Sequence, residues 1–291
     1  IYHWVFGDDY NLPGLNDRGF VDPNFFETYP AKTNYQHFSE QFSLIKNDPS
    51  LNDIEALLLC SGGVDSSLLA YFRDKNLKGG LQNLVHTSYV HHNNNDLEKF
   101  TNVLDAFPSS SFVISINSAS YLSGIDFLSN HNFYQNTYAP TLAFAINSIV
   151  KNGFSCLISG SGPDELFYGM EKYSWDTFEK LAEMPTAMAL KKLDPSYNLQ
   201  AYSKLLNSKG REFLEKVKQK RQMLYESIAA LKMNIFDSQR LLAYATVTAQ
   251  HMQLFNKIAQ IFNLKHKAPY LNSQLVQLAL NAPLDDLVEL G

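Results

Sequence analysis

Cysteine is nearly missing from this 291-residue chain; Cys60 and Cys156 are the only two. Both sit in apolar runs and read as packed thiols in a reducing compartment, not as a disulfide framework or a metal pair. No run of eighteen apolar residues occurs, so no segment reads as membrane-spanning. Ile1-Tyr2-His3-Trp4 has no basic n-region and is not a signal peptide, and it lacks an initial methionine, which leaves room for residues before it. Positive charge is not in excess: the net charge of −5 argues against a nucleic-acid partner. Repeats and low-complexity segments are also missing. What is present is 45% hydrophobic and 13% aromatic, the balance of a globular chain with a large core in one or two domains. The expectation is a cytoplasmic protein with neither membrane nor nucleic acid as partner.

The most informative stretch is Leu57-Leu58-Leu59-Cys60-Ser61-Gly62-Gly63-Val64-Asp65-Ser66-Ser67. Ala56 to Cys60 reads as a buried strand, the small residues as a tight turn, and Ser66 to Lys75 as a helix. Strand, small-residue turn and helix together make an anion site from bare backbone N–H groups. Gly62 and Gly63 let the backbone approach a phosphate closely. The hydroxyls of Ser61, Ser66 and Ser67 add donors. Asp65 repels a phosphate unless a cation lies between, so it argues for Mg²⁺. The turn has no Lys and is not a Walker loop. A plain glycine turn in an ordinary α/β protein is the competing reading.

Along the chain, residues 1–50 form an aromatic packing arm broken by Pro13, Pro23, Pro30 and Pro49, with a helix expected over Tyr35 to Ile45. Further strands are expected at Leu84–Val90, Ser111–Ile116 and Cys156–Ser159. Helices are expected at Asp96–Phe107, with Asp96 as N-cap, and at Tyr138–Val150. The loop His91-His92-Asn93-Asn94-Asn95-Asp96 reads as solvated, since its spacing fits no common metal site. Alternating strands and helices over 51–175 imply a doubly wound parallel sheet, on which ligands bind at the carboxyl ends of strands. Residues 176–291 read as helical: Asp176–Met184, Leu199–Leu206, Gly210–Leu231, Ser238–Phe262 and Gln274–Leu280. The basic run Lys209 to Arg221 interleaves Glu212 and Glu215, the pattern of a solvated helix face.

A second strand–turn–acid pattern follows the fourth strand: Ser159-Gly160-Ser161-Gly162-Pro163-Asp164-Glu165-Leu166-Phe167-Tyr168-Gly169. With both turns at one sheet edge, Asp65 and Asp164 can share one Mg²⁺, which commonly takes only one or two protein carboxylates. The competing reading is that Asp164 and Glu165 simply begin a helix, where acids suit the dipole.

Ser61-Gly62-Gly63-Val64-Asp65-Ser66-Ser67 resembles the signature of the N-type ATP pyrophosphatases, and specifically the pyrophosphate loop of the asparagine synthetase family. The 159–169 stretch resembles that family's second loop, usually S-G-[DE]-G-x-D-E-L-F-G-G. Asn256 to Asn272 with Leu275-Val276 resembles a third family segment. The three matches anchor residues from about 54 to 283. The resemblance is to the synthetase domain shared by asparagine synthetases, β-lactam synthetases, carbapenam synthetases and lasso-peptide cyclases. It implies the pyrophosphate-loop type of adenine-nucleotide hydrolase-like fold, and an enzyme in which ATP adenylates a substrate carboxylate and a nitrogen nucleophile displaces AMP.

The resemblance implies that Ser61, Gly62, Gly63, Val64, Ser66 and Ser67 hold pyrophosphate and that Asp65 and Asp164 hold Mg²⁺. Leu59, Thr87 and Ser88 would line the adenine pocket, and Gly160 and Gly162 would border the acyl-adenylate. Ser161 stands where the family often has Asp, Glu or Tyr, implicated in handling the nucleophile, and Ser is a poor base without help. Lys265 reverses a family Glu, Lys267 replaces a family Arg at the site, and Asn256 and Asn272 replace acids. The family's N-terminal Cys with its glutaminase domain and its Lys-bearing tail have no counterpart in this sequence. Nitrogen is therefore expected from a substrate amine or from ammonia, the latter supplied by a separate glutaminase or by a glutaminase domain missing from these residues; a carrier protein is another candidate partner. These departures favour a specialised natural-product or peptide-tailoring synthetase over ordinary asparagine synthesis. RNA adenylation and a degenerate, non-catalytic nucleotide-binding homologue are the readings of other classes.

Overall fold

The computed structural model describes residues 12, 13, 15, 22–27, 42–78, 80–90, 95–133, 136–167, 175–194 and 206–282. The His91–Asn94 loop, most of the helices expected at Tyr35–Ile45 and Leu199–Leu206, and residues beyond 282 lie outside them. The strands are β1 (Ala56–Leu59), β2 (Gln82–Tyr89), β3 (Ser109–Ile116), β4 (Cys156–Ile158) and β5 (Lys265–Lys267). The helices begin with α1 (Pro23–Glu27), α2 (Val64–Leu77), α3 (Asn95–Ala106), α4 (Ser118–Asn130), α5 (Ala139–Ile149) and α6 (Pro163–Leu166). They continue with α7 (Trp175–Ala182), α8 (Thr186–Leu193), α9 (Ser208–Ala230), α10 (Ile235–Ala243), α11 (Ala249–Ile261) and α12 (Ser273–Asn281). A π-helical turn, Tyr244–Thr248, links α10 to α11.

Four of the five strands fall where apolar runs or apolar alternation place them. β5 does not: Lys-His-Lys carries no strand signal, yet it pairs in parallel with β4. Helix α4 was also not legible, because Ser and Gly depress helix propensity. Its start is fixed by Asn117, which accepts from Ser120 N while Ser120 Oγ accepts from Asn117 N. Gly124 is explained by packing, since a Cβ there would collide with the Pro140 carbonyl of α5. The helix after β2 begins at Asn95, so Asp96 lies inside its first turn and is not the N-cap. The long helix expected over Ser238–Phe262 is α10, the π turn and α11.

The chain forms two compact units. One takes in Glu40–Ser161 and Met252–Asn272, the other Ile1–Ser39, Gly162–His251 and Ser273–Gly291. The first holds the sheet, all parallel, in the order β3-β2-β1-β4-β5. Central β1 and β4 are apolar on both faces and buried throughout except at Leu59. Leu57, Val85 and Leu157 pack against α5 and α11 on one face. Side chains alternate along a strand, so Ala56, Leu58 and Leu84 face the opposite side, toward α2 and α3. Arg73 of α2, fully buried, donates to the carbonyls of Ser50, Asp53 and Ala56 at 3.1 Å each and fixes the entry to β1. Burial pulls its guanidinium to about 10, still charged at neutral pH. Cys60 and Cys156 are buried free thiols.

The second unit is helical. Arg240 of α10, also buried, donates to the carbonyls of Leu166, Ala279, Leu280 and Ala282 and to Asp237. It thereby satisfies the carbonyl ends of α6 and α12, groups that a helix terminus otherwise leaves unpaired. On α9, Lys216 pairs with Glu212 and Lys218 with Glu215 at the exposed face. Arg221, which belongs to the same basic run in the sequence, is buried instead: it bonds Asp194 at 2.9 Å, and Tyr225 donates to the same carboxylate at 2.7 Å. Among the described residues no helix is long and apolar enough to cross a membrane.

Candidate active site

The strand order reverses direction between β1 and β4, which makes their carboxyl ends the switch point where ligands of such sheets bind. Each of these strands runs into one of the two glycine turns. Cys60 N donates to the Val85 carbonyl (2.9 Å) and Ser159 N to the Lys267 carbonyl (3.0 Å), so pairing continues one residue past each strand.

The turn after β1 is built from main chain. Gly62 has φ of 84°, and a Cβ there would fall on Phe100 N and within 2.6 Å of Lys99 C. The turn is therefore pressed against the backbone of α3, and only glycine fits. Gly63 is the N-cap of α2 and makes no side-chain capping bond, so no cap side chain covers the start of this fourteen-residue helix, where the dipole favours an anion. Ser66 is buried, and its hydroxyl donates to the Gly63 carbonyl (3.2 Å). Gly63 N in turn donates to Ser61 Oγ (3.2 Å). Ser66 thus shapes the turn with its side chain and leaves its backbone N–H for a ligand. Asp65 and Ser67 are half-buried in the first turn of α2, and Val64 is 84% exposed. A cavity of about 210 Å³ opens beside Gly62 and Ser67, toward Lys99 and Asn102 of α3.

The turn after β4 approaches the same helix start. A Cβ on Gly160 would lie 3.4 Å from Ser66 N and 3.5 Å from Asp65 Cβ. Tyr270, in the turn Pro269–Leu271, donates to the Asp65 carbonyl at 2.8 Å. Burial, and then Asp65, push its phenol up, so it remains a donor. At the end of β2, half-buried Thr87 hydrogen-bonds the Tyr138 hydroxyl, which burial pushes up to about 12. Ser88 beside it is buried, and Leu59 is half-buried at the end of β1. Lys267 is exposed on β5, opposite Ile158.

Gly162 and Asp164 belong to the second unit. Gly162, at φ 118°, caps α6, and Asp164 is exposed in its first turn. Buried Glu165 accepts from Thr248 of the π turn at 3.0 Å. Burial lowers the pKa of His251, which Asp164 opposes.

Sequence reasoning gave no role to Ser159, Asn256, His266 or Tyr270. Ser159 Oγ is 2.9 Å from His266 Nε2, and His266 Nδ1 is 2.8 Å from Asn256 Oδ1. Ser159 also donates to Ser161 Oγ at 3.2 Å. The available signal was His266 in place of the apolar residue of the third family segment, on a strand too short to register as one.

A half-buried carboxylate beside the start of α2 supplies the oxygen donor that Mg²⁺ prefers, and Asp65 would hold the ion there. Among the described residues no group of three or more His, Cys, Asp or Glu side chains gathers as a chelating centre. The family model for asparagine synthase matches residues 51–291. No individually curated protein matches the sequence significantly. The model's span takes in both glycine turns, all five strands and the Lys265–Asn272 segment, and the parallel sheet is the one those motifs require: this chain belongs to the asparagine synthase family, whose members are ATP-dependent ligases that form C–N bonds.

Proposed function

We propose that the protein is an AMP-forming amide synthetase: a substrate carboxylate is activated by ATP, pyrophosphate leaves, and an amine or ammonia then attacks the acyl-adenylate. The observation that carries this reading is the uncapped start of α2 behind Gly62 at the sheet's switch point, with Asp65 in the first turn. Backbone N–H groups at this helix start would stabilise charge on transferred phosphate, and Mg²⁺, when bound, would supply charge neutralisation for the leaving pyrophosphate. The backbone of Ser61, Gly62, Gly63, Val64, Ser66 and Ser67 would surround the pyrophosphate. Asp65 would hold Mg²⁺, with Asp164, three residues past Ser161 in the sequence, as second carboxylate. Leu59, Thr87 and Ser88 suit an adenine wall, and Gly160 and Gly162 the border of the acyl-adenylate. Ser161 and Lys267 would meet the nucleophile and the intermediate. Lys at 265 and 267, where the family carries Glu and Arg, favours a specialised substrate over aspartate. Asparagine formation is the second reading, favoured by the family match itself.

The test is Mg²⁺-dependent pyrophosphate release from ATP over a panel of carboxylates, with and without ammonia, with the nucleotide product identified. AMP formed in response to one acid supports the reading. Aspartate with ammonia as the active pair moves it to asparagine formation. ADP as product, or pyrophosphate release that survives Asp65→Asn, overturns it.

A further inference from the structure

We propose that Ser161, Ser159 and His266 form a proton relay that serves the nitrogen nucleophile, with Asn256 holding the imidazole in place. This rests on the amide-forming reading above. The four side chains make one unbroken train: Ser161 Oγ to Ser159 Oγ 3.2 Å, Ser159 Oγ to His266 Nε2 2.9 Å, His266 Nδ1 to Asn256 Oδ1 2.8 Å. Its inner members are enclosed. Ser159 is 2% exposed, and His266 lies against the Phe255 ring, with centroids 5.3 Å apart.

The chemistry of each member fixes its role. An amide oxygen only accepts, so Asn256 Oδ1 places the proton of a neutral imidazole on Nδ1 and leaves Nε2 open. The single proton of Ser159 then has two acceptors within reach, Nε2 and Ser161 Oγ. In the resting structure that proton points to Ser161; turned to Nε2 instead, it frees the Ser159 oxygen, and rotation of the Ser161 side chain then lets Ser161 donate to Ser159 and offer its own lone pair outward. That is the state that receives an N–H. As the nitrogen lone pair forms the C–N bond, AMP departs with the electrons of the C–O bond. The nucleophile's proton passes to Ser161, Ser161's proton to Ser159, and Ser159's proton to Nε2. Burial, and secondarily Lys267, hold His266 at about 3, so the ring rests neutral and gives the proton up once the products have gone. Flanking it are Lys265 and Lys267 on its own strand and apolar Leu157, its register partner on β4, while α11 presents Asn256 and Phe255 and turns Lys257 toward Gln260. The relay supplies the help that a serine needs at a position where relatives carry an acid or a tyrosine.

Ser159, His266 and Asn256 are positioning residues, and three measurements test them. Nitrogen-15 NMR of the histidine side chains in the free protein should show His266 neutral, with the proton on Nδ1 and a hydrogen-bonded Nε2 whose shift moves in Ser159→Ala. A proton on Nε2, or no response to Ser159→Ala, overturns the relay. With hydroxylamine as nucleophile and the acid that stimulates the wild type, His266→Gln and Ser159→Ala should lower amide formation by about 10²–10⁴-fold, far more than they lower ATP–pyrophosphate exchange. Equal loss in both assays means a structural role and overturns it. Asn256→Asp should raise the His266 pKa by NMR and move the acid limb of amide formation up with it, and an unmoved limb overturns the proposal. Absence of exchange in the wild type with every acid sinks the amide-forming reading instead, and the NMR result still decides whether the train exists.

Discussion

The two glycine turns at the carboxyl ends of β1 and β4 do similar work with different materials. The first is made of backbone: Gly62 at φ 84° against α3, an uncapped Gly63, and hydroxyls of Ser61 and Ser66 spent inside the turn. The second is made of side chains gathered from distant sequence: Ser159 just past β4, His266 from β5 and Asn256 from α11. A backbone site demands small residues at fixed spacing and tolerates little change. A side-chain site can exchange its members as long as their hydrogen bonds close. The same molecule therefore keeps a recognisable first motif and an altered second one.

Substitution of Gly62 puts this contrast to its hardest test. Gly62→Ala combines a strained φ with a Cβ driven into the backbone of Lys99 and Phe100, a loss of about 4 kcal/mol in urea unfolding. Gly153 shares the backbone angle, φ 83°, but has open space around its Cβ position. Gly153→Ala should lose only about 1 kcal/mol. The difference between the two isolates the crowding at the turn. Equal losses would mean that α3 does not back the turn at all.

Next in size is Arg73→Met. It removes three hydrogen bonds to carbonyls that hold the entry to β1 and leaves those carbonyls buried, for a loss of about 3 kcal/mol. Because the first turn depends on where β1 ends, ATP affinity should weaken together with stability. Loss of stability with unchanged ATP affinity would show that the turn is held from α3 alone.

The same contrast governs what the sequence revealed. Ala56–Leu59 and Cys156–Ile158 announce themselves because central strands of a parallel sheet are apolar on both faces. The pyrophosphate-loop motif is legible because each residue has a main-chain reason to be small. β5 is not: an edge strand of three residues, with exposed lysines at both ends, has neither length nor alternation, and only its pairing with β4 reveals it. Its central residue, His266, showed in the sequence only as a polar residue at an apolar position of the third family segment. Arg221 misled for a similar reason, since its charge placed it in a solvated run while Asp194, from a distant segment, draws it inside.

The buried histidine gives the second turn a pH signature. His266 is held at about 3, against an ordinary 6.5 when unfolded. Below 6.5 the unfolded chain binds a proton that the folded chain refuses, so stability falls as pH drops toward 3, by at most about 1.4 kcal/mol per unit from this group. Above 6.5 the ring is neutral in both states and contributes no slope. His266→Gln should flatten the acid side of a stability profile measured by urea midpoint. An unchanged slope would show that other groups carry the acid sensitivity.

The smallest expected effect joins the two turns. Tyr270 lies just past β5, yet its hydroxyl donates to the carbonyl of Asp65 at 2.8 Å. Tyr270→Phe keeps the buried ring and removes one hydrogen bond, about 1 kcal/mol of stability. The freed carbonyl belongs to the first turn of α2, so the substitution also loosens the residue proposed to carry Mg²⁺. A two- to fivefold weakening of apparent Mg²⁺ affinity, roughly 0.4–1 kcal/mol, should accompany the small stability change. If instead Mg²⁺ dependence is untouched while stability drops, Tyr270 only secures the packing between turns, and the backbone of the first turn holds Asp65 in place without help from the second.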